Sequence, residues 1–107
     1  MMKFNGIGCS PGLAFGKAYK LSLEDNLEPI PDSSIVVVER SSPQWILSLK
    51  NAQGIICELG GNMSHLAILC REIGKPCVTG IDHIYSIIQN GDSIIINGDT
   101  GEVSINE

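Results

Sequence analysis

Two apolar runs without polar alternation dominate the middle of the chain: Ile35-Val36-Val37-Val38 and Gly54-Ile55-Ile56-Cys57-Glu58. Both have the pattern of strands covered on both faces. Between them, Ser42-Pro43-Gln44 offers a Ser cap followed by Pro at the first helical position, which predicts a helix through Trp45, Ile46 and Leu49 to about Ala52. After the second run, Gly60-Gly61-Asn62 leads into a helix from Ser64 to about Ile73, stopped by Gly74 and Pro76. Cys77-Val78-Thr79 reads as a short strand. Asp82 to Gln89 reads as a short helical stretch with Asp82 as its cap, ended by Asn90-Gly91.

The two ends of the chain read as β structure. Phe4 to Lys20 is a series of short strands broken by glycines and Pro11, and Ser93-Ile94-Ile95-Ile96 with Glu102-Val103-Ser104-Ile105 is a hairpin across Asn97-Gly98-Asp99-Thr100-Gly101. The acidic, proline-bearing stretch from Leu21 to Ser34 is expected to be a surface connection without a regular helix. Strands at both ends and β-α-β units in the middle predict an α/β fold, a mixed sheet with packed helices.

With 107 residues, the chain is expected to be one domain over residues 1–107, with a core that needs neither a metal nor disulfides. Sixteen isoleucines support such a core. Seven Lys+Arg against twelve Asp+Glu leave a formal charge of -5, which argues against a nucleic-acid partner. No apolar run approaches the ~20 residues that span a bilayer, and Met1-Met2-Lys3-Phe4-Asn5-Gly6 has no apolar signal core, so no membrane partner and a cytoplasmic location are expected. Cys9, Cys57, Cys70 and Cys77 contain no C-x-x-C pair and mostly sit in apolar stretches, so they read as buried free thiols and no metal site is assigned.

The candidate chemistry lies in Gly60-Gly61-Asn62-Met63-Ser64-His65, where a predicted strand gives way to a helix. Glycines there let a ligand approach the backbone, and the first helical turn presents unpaired N–H groups to an anion. An imidazole within that turn stands beside those donors, and neutral imidazole is a competent nucleophile toward phosphorus. The plain alternative is a turn followed by a capping or solvated histidine, and local physics leaves both open. His83, Lys17 and Lys75 read as solvated side chains, and Trp45 with Ile46 and Leu49 as helix core.

Gly60-Gly61-x-x-Ser64-His65-x-Ala67-Ile68-x-x-Arg71-Glu72-x-Gly74-x-Pro76-x-Val78-x-Gly80 resembles the phosphohistidine signature of the mobile domain of phosphoenolpyruvate-utilising enzymes. Pyruvate phosphate dikinase, phosphoenolpyruvate synthase and Enzyme I of the sugar phosphotransferase system carry that domain. Gly8-x-Ser10-Pro11-Gly12-x-Ala14-x-Gly16-Lys17 resembles the family's opening hairpin, and Gly91-Asp92-x-Ile94-x-Ile96-x-Gly98-x-x-Gly101-x-Val103 its closing one, so the resemblance covers nearly the whole chain.

The resemblance implies a swivelling β/β/α domain with terminal β-hairpins, whose histidine takes a phosphoryl group at one active site and delivers it at another. It implies His65 as the phosphorylated residue, with Gly60, Gly61 and Ser64 shaping its pocket. Arg71 is a further phosphate-binding candidate, with a cation near a helix C-terminus as its alternative role. The chain departs from many members at Met63, where they have Thr, and at Ser41-Ser42-Pro43, where they have Thr-Asp-Pro. It shows no P-loop and no acidic magnesium cluster, so it is expected to bind no cofactor itself. A stand-alone carrier is expected, with Mg and ATP or phosphoenolpyruvate held by a separate nucleotide-binding or phosphoenolpyruvate-binding partner. The alternative is a non-catalytic subunit or regulatory binding module that keeps the fold.

Overall fold

The computed structural model describes residues 2–21, 30–40, 49, 51–60 and 65–106. Eight strands form one mixed sheet: β1 Met2–Asn5, β2 Ile7–Ser10, β3 Leu13–Leu21, β4 Ser34–Val38, β5 Ala52–Cys57, β6 Cys77–Thr79, β7 Ser93–Asn97 and β8 Glu102–Asn106. The helices are α1, His65–Ile73, and the short α2, Ile84–Ile87. Strand order is β1-β8-β7-β3-β4-β5-β6-β2. The pairs β3·β4, β4·β5 and β5·β6 are parallel and the other four antiparallel.

The two edge strands, β1 and β2, are consecutive in the chain with only Gly6 between them. Asn5 and Ile7 therefore lie within about 7.6 Å of each other at Cα, whereas eight strands laid flat would separate the sheet edges by more than about 30 Å. The sheet must curl back on itself. The amide of Gly6 donates to the Gly101 carbonyl at 2.8 Å, which fastens the junction to the β7–β8 turn.

Curling creates two cores on opposite faces of the sheet. The inner one packs Ile35, Val37, Ile56 and Val78 of the parallel strands against Ala14, Ala18, Ile94, Ile96, Val103 and Ile105, with Ile84 and Ile88 beside them. The outer one sets Val36, Val38, Ile55 and Cys57 against Leu66, Ala67 and Cys70 of α1, together with Cys9 and Cys77. Two sheet layers and a helical layer are the β/β/α arrangement expected. Every residue of β4 is buried, as the unbroken apolar run predicts.

The predicted closing hairpin is present as β7–β8. The expected opening hairpin is not: β1 pairs with β8, β2 with β6, and β3 with β4 and β7. Closure of the sheet needs those strands on its edges and at its centre, a demand that outweighs pairing between sequence neighbours. Ala52, expected near a helix end, opens β5. The helix predicted from Ser42 falls mostly on residues 41–48 and 50, outside the described residues; Leu49 is buried in the outer core. Most of the acidic connection, residues 22–29, also lies outside them.

Candidate functional site

Strands β4, β5 and β6 run parallel, so their carboxyl ends, Val38, Cys57 and Thr79, share one edge. Such edges are where ligands bind in open parallel sheets. Pairing persists a little beyond the strands: Glu58 N donates to Val38 O at 3.0 Å, Leu59 N to Glu39 O at 2.9 Å, and Gly80 N to Cys57 O at 3.2 Å. The Cys57 thiol donates to the Leu59 carbonyl at 2.8 Å, fixing the backbone just before Gly60. Burial pushes that thiol up to about 11. Gly60 itself is exposed, with φ 135, a conformation that side-chain-bearing residues rarely adopt.

The helix α1 starts on this edge with His65, which is exposed, while Leu66, Ala67 and Cys70 turn inward. Its first turn has no acidic side chain, so no carboxylate there opposes a bound anion. At the other end Gly74, with φ 73, and the bond from Lys75 N to Cys70 O at 2.9 Å form a Schellman-type stop, as the sequence predicts. His65 and Gly60 are both exposed, so the imidazole is not enclosed by the core. Gly61 and Ser64, the other two proposed pocket residues, lie outside the described residues.

Arg71 has a different local setting. It sits six residues beyond His65, about 9 Å along the helix axis, and its Nε donates to the Cys9 carbonyl of β2 at 2.6 Å. It ties α1 to the sheet edge, a contact between residues 62 apart in sequence that helical spacing does not reveal. Lys17 Nζ donates to Ser93 Oγ at 2.9 Å on the antiparallel strands, and Lys75 follows the far end of α1. His83, not Asp82, holds the cap position of α2, in a left-handed conformation with φ 64 and without a side-chain capping bond. The Tyr85 amide of α2 is satisfied instead by Glu58 Oε1 at 3.0 Å.

All four cysteines are buried free thiols in the outer core beneath α1. Cys9 Sγ and Thr79 Oγ1 share a hydrogen bond at 3.0 Å. The hydrogen bond with Cys70, and then burial, push the Cys77 thiol up. Among the described residues, no group of three or more His, Cys, Asp or Glu is placed to hold a metal, and no helix is long and apolar enough to cross a membrane.

Sequence reasoning passed over three exposed aliphatic side chains near this edge: Ile7, Leu59 and Ile68. Ile68 had a signal. It falls off the stripe that Leu66, Leu69, Cys70 and Ile73 draw on α1.

Comparison with known proteins agrees with this architecture. The Methanothermobacter thermautotrophicus probable phosphoenolpyruvate synthase is 35% identical over 98 residues, covering 92% of this chain and 14% of that protein. The rifampicin phosphotransferase of Bacillus subtilis is 32% identical over 101 residues, covering 94% of this chain and 11% of that protein. This chain thus spans about one seventh or less of those relatives. Among solved structures, an NMR structure of Enzyme I matches with a TM-score of 0.64 at 28% identity over 77% of this chain and 34% of that one. A chain of aconitase X from Thermococcus kodakaraensis matches in fold, with a TM-score of 0.80 at 20% identity over the whole of both chains. Residues 30–101 match the family model described as PEP-utilising enzyme, mobile domain, and the chain belongs to that family.

Proposed function

We propose that the 107 residues act as one phosphoryl-carrier unit, with His65 as the transient acceptor. A ring nitrogen of His65 attacks the phosphorus of the donor. An N–P bond forms as the P–O bond to the leaving group breaks, and the electron pair departs on the leaving oxygen. The second transfer reverses this, with an acceptor oxygen attacking phosphorus and the imidazole leaving. The reading rests on one observation: an exposed histidine in the first turn of α1, the helix that follows β5, in a chain of the mobile-domain family.

In this reading Gly60, Gly61 and Ser64 shape the phosphoryl pocket, and Arg71 acts by holding α1 against β2. Mg and ATP or phosphoenolpyruvate belong to a separate nucleotide-binding or phosphoenolpyruvate-binding protein, because charge neutralisation on the donor has to be supplied there. The chain then works as a stand-alone cytoplasmic carrier. The test is labelling of the purified chain by a separately supplied donor, which should give an acid-labile, alkali-stable phosphate that disappears in His65→Ala. The second reading, a non-catalytic binding module, is favoured by Met63 standing where many members have Thr. Thermal stabilisation by phosphate-bearing metabolites that survives His65→Ala would support it.

A further inference from the structure

The outer core covers one face of the parallel strands, and that face continues onto β3, β7 and β8, where register sets Phe15 opposite Ile95 and Ile95 opposite Ser104. There Phe15 is 76% exposed and Ile95 53%. Lys17 lies two residues beyond Phe15, hence on the same face, and pairs in register with Ser34 at the start of β4 and Ser93 at the start of β7. The turn over residues 31–33 leads into β4. Ser33 is left-handed there with φ 66, and a Cβ on Gly16 would collide with the Ser33 carbonyl, so the turn lies tight against β3. Beside this turn is a cavity of about 590 Å³, whose lining includes Phe15, Ile95, Lys17, Asp32, Ser93 and Ser104. Its size and its mixture of apolar and convergent polar groups are those of a small-molecule site. It adjoins the amino end of β4, whereas the carboxyl end of that strand, Val38, belongs to the edge that bears Gly60.

Two opposite charges line this cavity without cancelling each other. Lys17 Nζ donates to Ser93 Oγ at 2.9 Å, a neutral acceptor, and among the described residues no ion pair joins Lys17 to Asp32. An ammonium has three donors, so two remain to Lys17 for a ligand. We propose that the cavity binds a small zwitterion with an apolar side chain, an α-amino acid of the phenylalanine or leucine kind. Its carboxylate meets the Lys17 ammonium, its ammonium meets the Asp32 carboxylate, and its side chain covers Phe15 and Ile95. The lining selects each part. A neutral apolar molecule leaves both charges without a counter-charge, a simple anion faces Asp32, and a simple cation faces Lys17, and like charges brought together cost affinity. Covering Phe15 and Ile95 adds affinity by taking exposed apolar surface out of water. The site is independent of the carrier reading, since none of its residues belongs to the proposed phosphoryl pocket.

The test is calorimetric titration of the full chain with L-phenylalanine, L-leucine, 3-phenylpropionate and phenethylamine; the last two keep the ring of phenylalanine and lack its ammonium and its carboxylate respectively. The expected result is saturable one-site binding of both amino acids, with L-phenylalanine roughly tenfold or more tighter than either analogue. Lys17→Met should erase the preference over phenethylamine and leave that over 3-phenylpropionate. Asp32→Asn should do the reverse. Leu13→Ser changes a residue 72% exposed on the same strand but outside the cavity lining, and should bind like wild type. No saturable binding of either amino acid to wild type at millimolar concentration, or equal binding of L-phenylalanine and its two analogues, would overturn the site whatever the variants do to folding. Preferences that persist in both charge variants, or a loss in Leu13→Ser equal to theirs, would overturn it as well.

Discussion

The inner and outer cores lie on opposite faces of one sheet, yet their materials differ. The inner core is filled by isoleucines and valines from parallel and antiparallel strands, with Ile35, Ile56, Ile84, Ile88, Ile96, Val103 and Ile105 fully enclosed. The outer core places Ala67 and Cys70 of α1 in one cluster with Cys9, Cys57 and Cys77, small side chains that let the helix lie close to the sheet. Branched side chains with few rotamers lock the curled sheet. In the outer core small and sulfur-bearing side chains stand among Val36, Val38, Ile55 and Leu66 where α1 packs on the sheet. The difference teaches that the frame and the helix are held separately: the inner core fills the curled sheet, and the outer core packs α1, which begins with His65, against it.

Breaking the inner core should have the largest effect on stability. Ile96→Ala is expected to cost about 2–5 kcal/mol, read from the urea midpoint, and to leave the phosphoryl labelling of folded protein unchanged. A cost near that of a surface change would mean that the inner core is not the frame. Gly98→Ala comes next. A Cβ there would collide with the Ser10 carbonyl, pushing the β7–β8 turn off β2 where the curled sheet closes, at about 1–3 kcal/mol.

The outer core is distinguished by pH. Cys57 has its thiol at about 11 when folded against an ordinary 9.0. A raised folded value gives stability that is complete below pH 9.0 and is lost as pH climbs toward 11. The loss should be about 2–3 kcal/mol for this group, and Cys57→Ala should flatten the slope over that window. The smallest stability effect is expected at the site itself. His65 is exposed, so His65→Ala should shift stability by less than about 0.5 kcal/mol, while the proposed carrier role predicts that it abolishes phosphoryl labelling.

Legibility in the sequence followed the range of the interactions involved. The buried strands β4 and β5, the stop of α1 at Gly74 and the β7–β8 hairpin are set by neighbours in the chain, and patterning exposed them. The opening strands were readable as strands but not as partners, because Met2 pairs with Ile105 and Ile7 with Thr79, across most of the chain. The cap of α2 went to His83 rather than Asp82 because Glu58, from another element, satisfies the Tyr85 amide. At the site, glycines before a helix and a histidine in its first turn were visible as an anion-friendly place, and only the longer string of residues resembling a known signature singled out His65. The bond from Arg71 to Cys9 and the cavity beside Phe15 depend on tertiary placement, which no local spacing encodes.

The most direct measurement is intact-mass and peptide mapping of the purified chain after incubation with a phosphoryl donor, run in parallel on wild type and His65→Ala. A carrier predicts one added phosphate on the His65 peptide, lost in acid, kept in alkali and absent from the variant. An unmodified wild-type chain, or a phosphate that remains after His65→Ala, would contradict it.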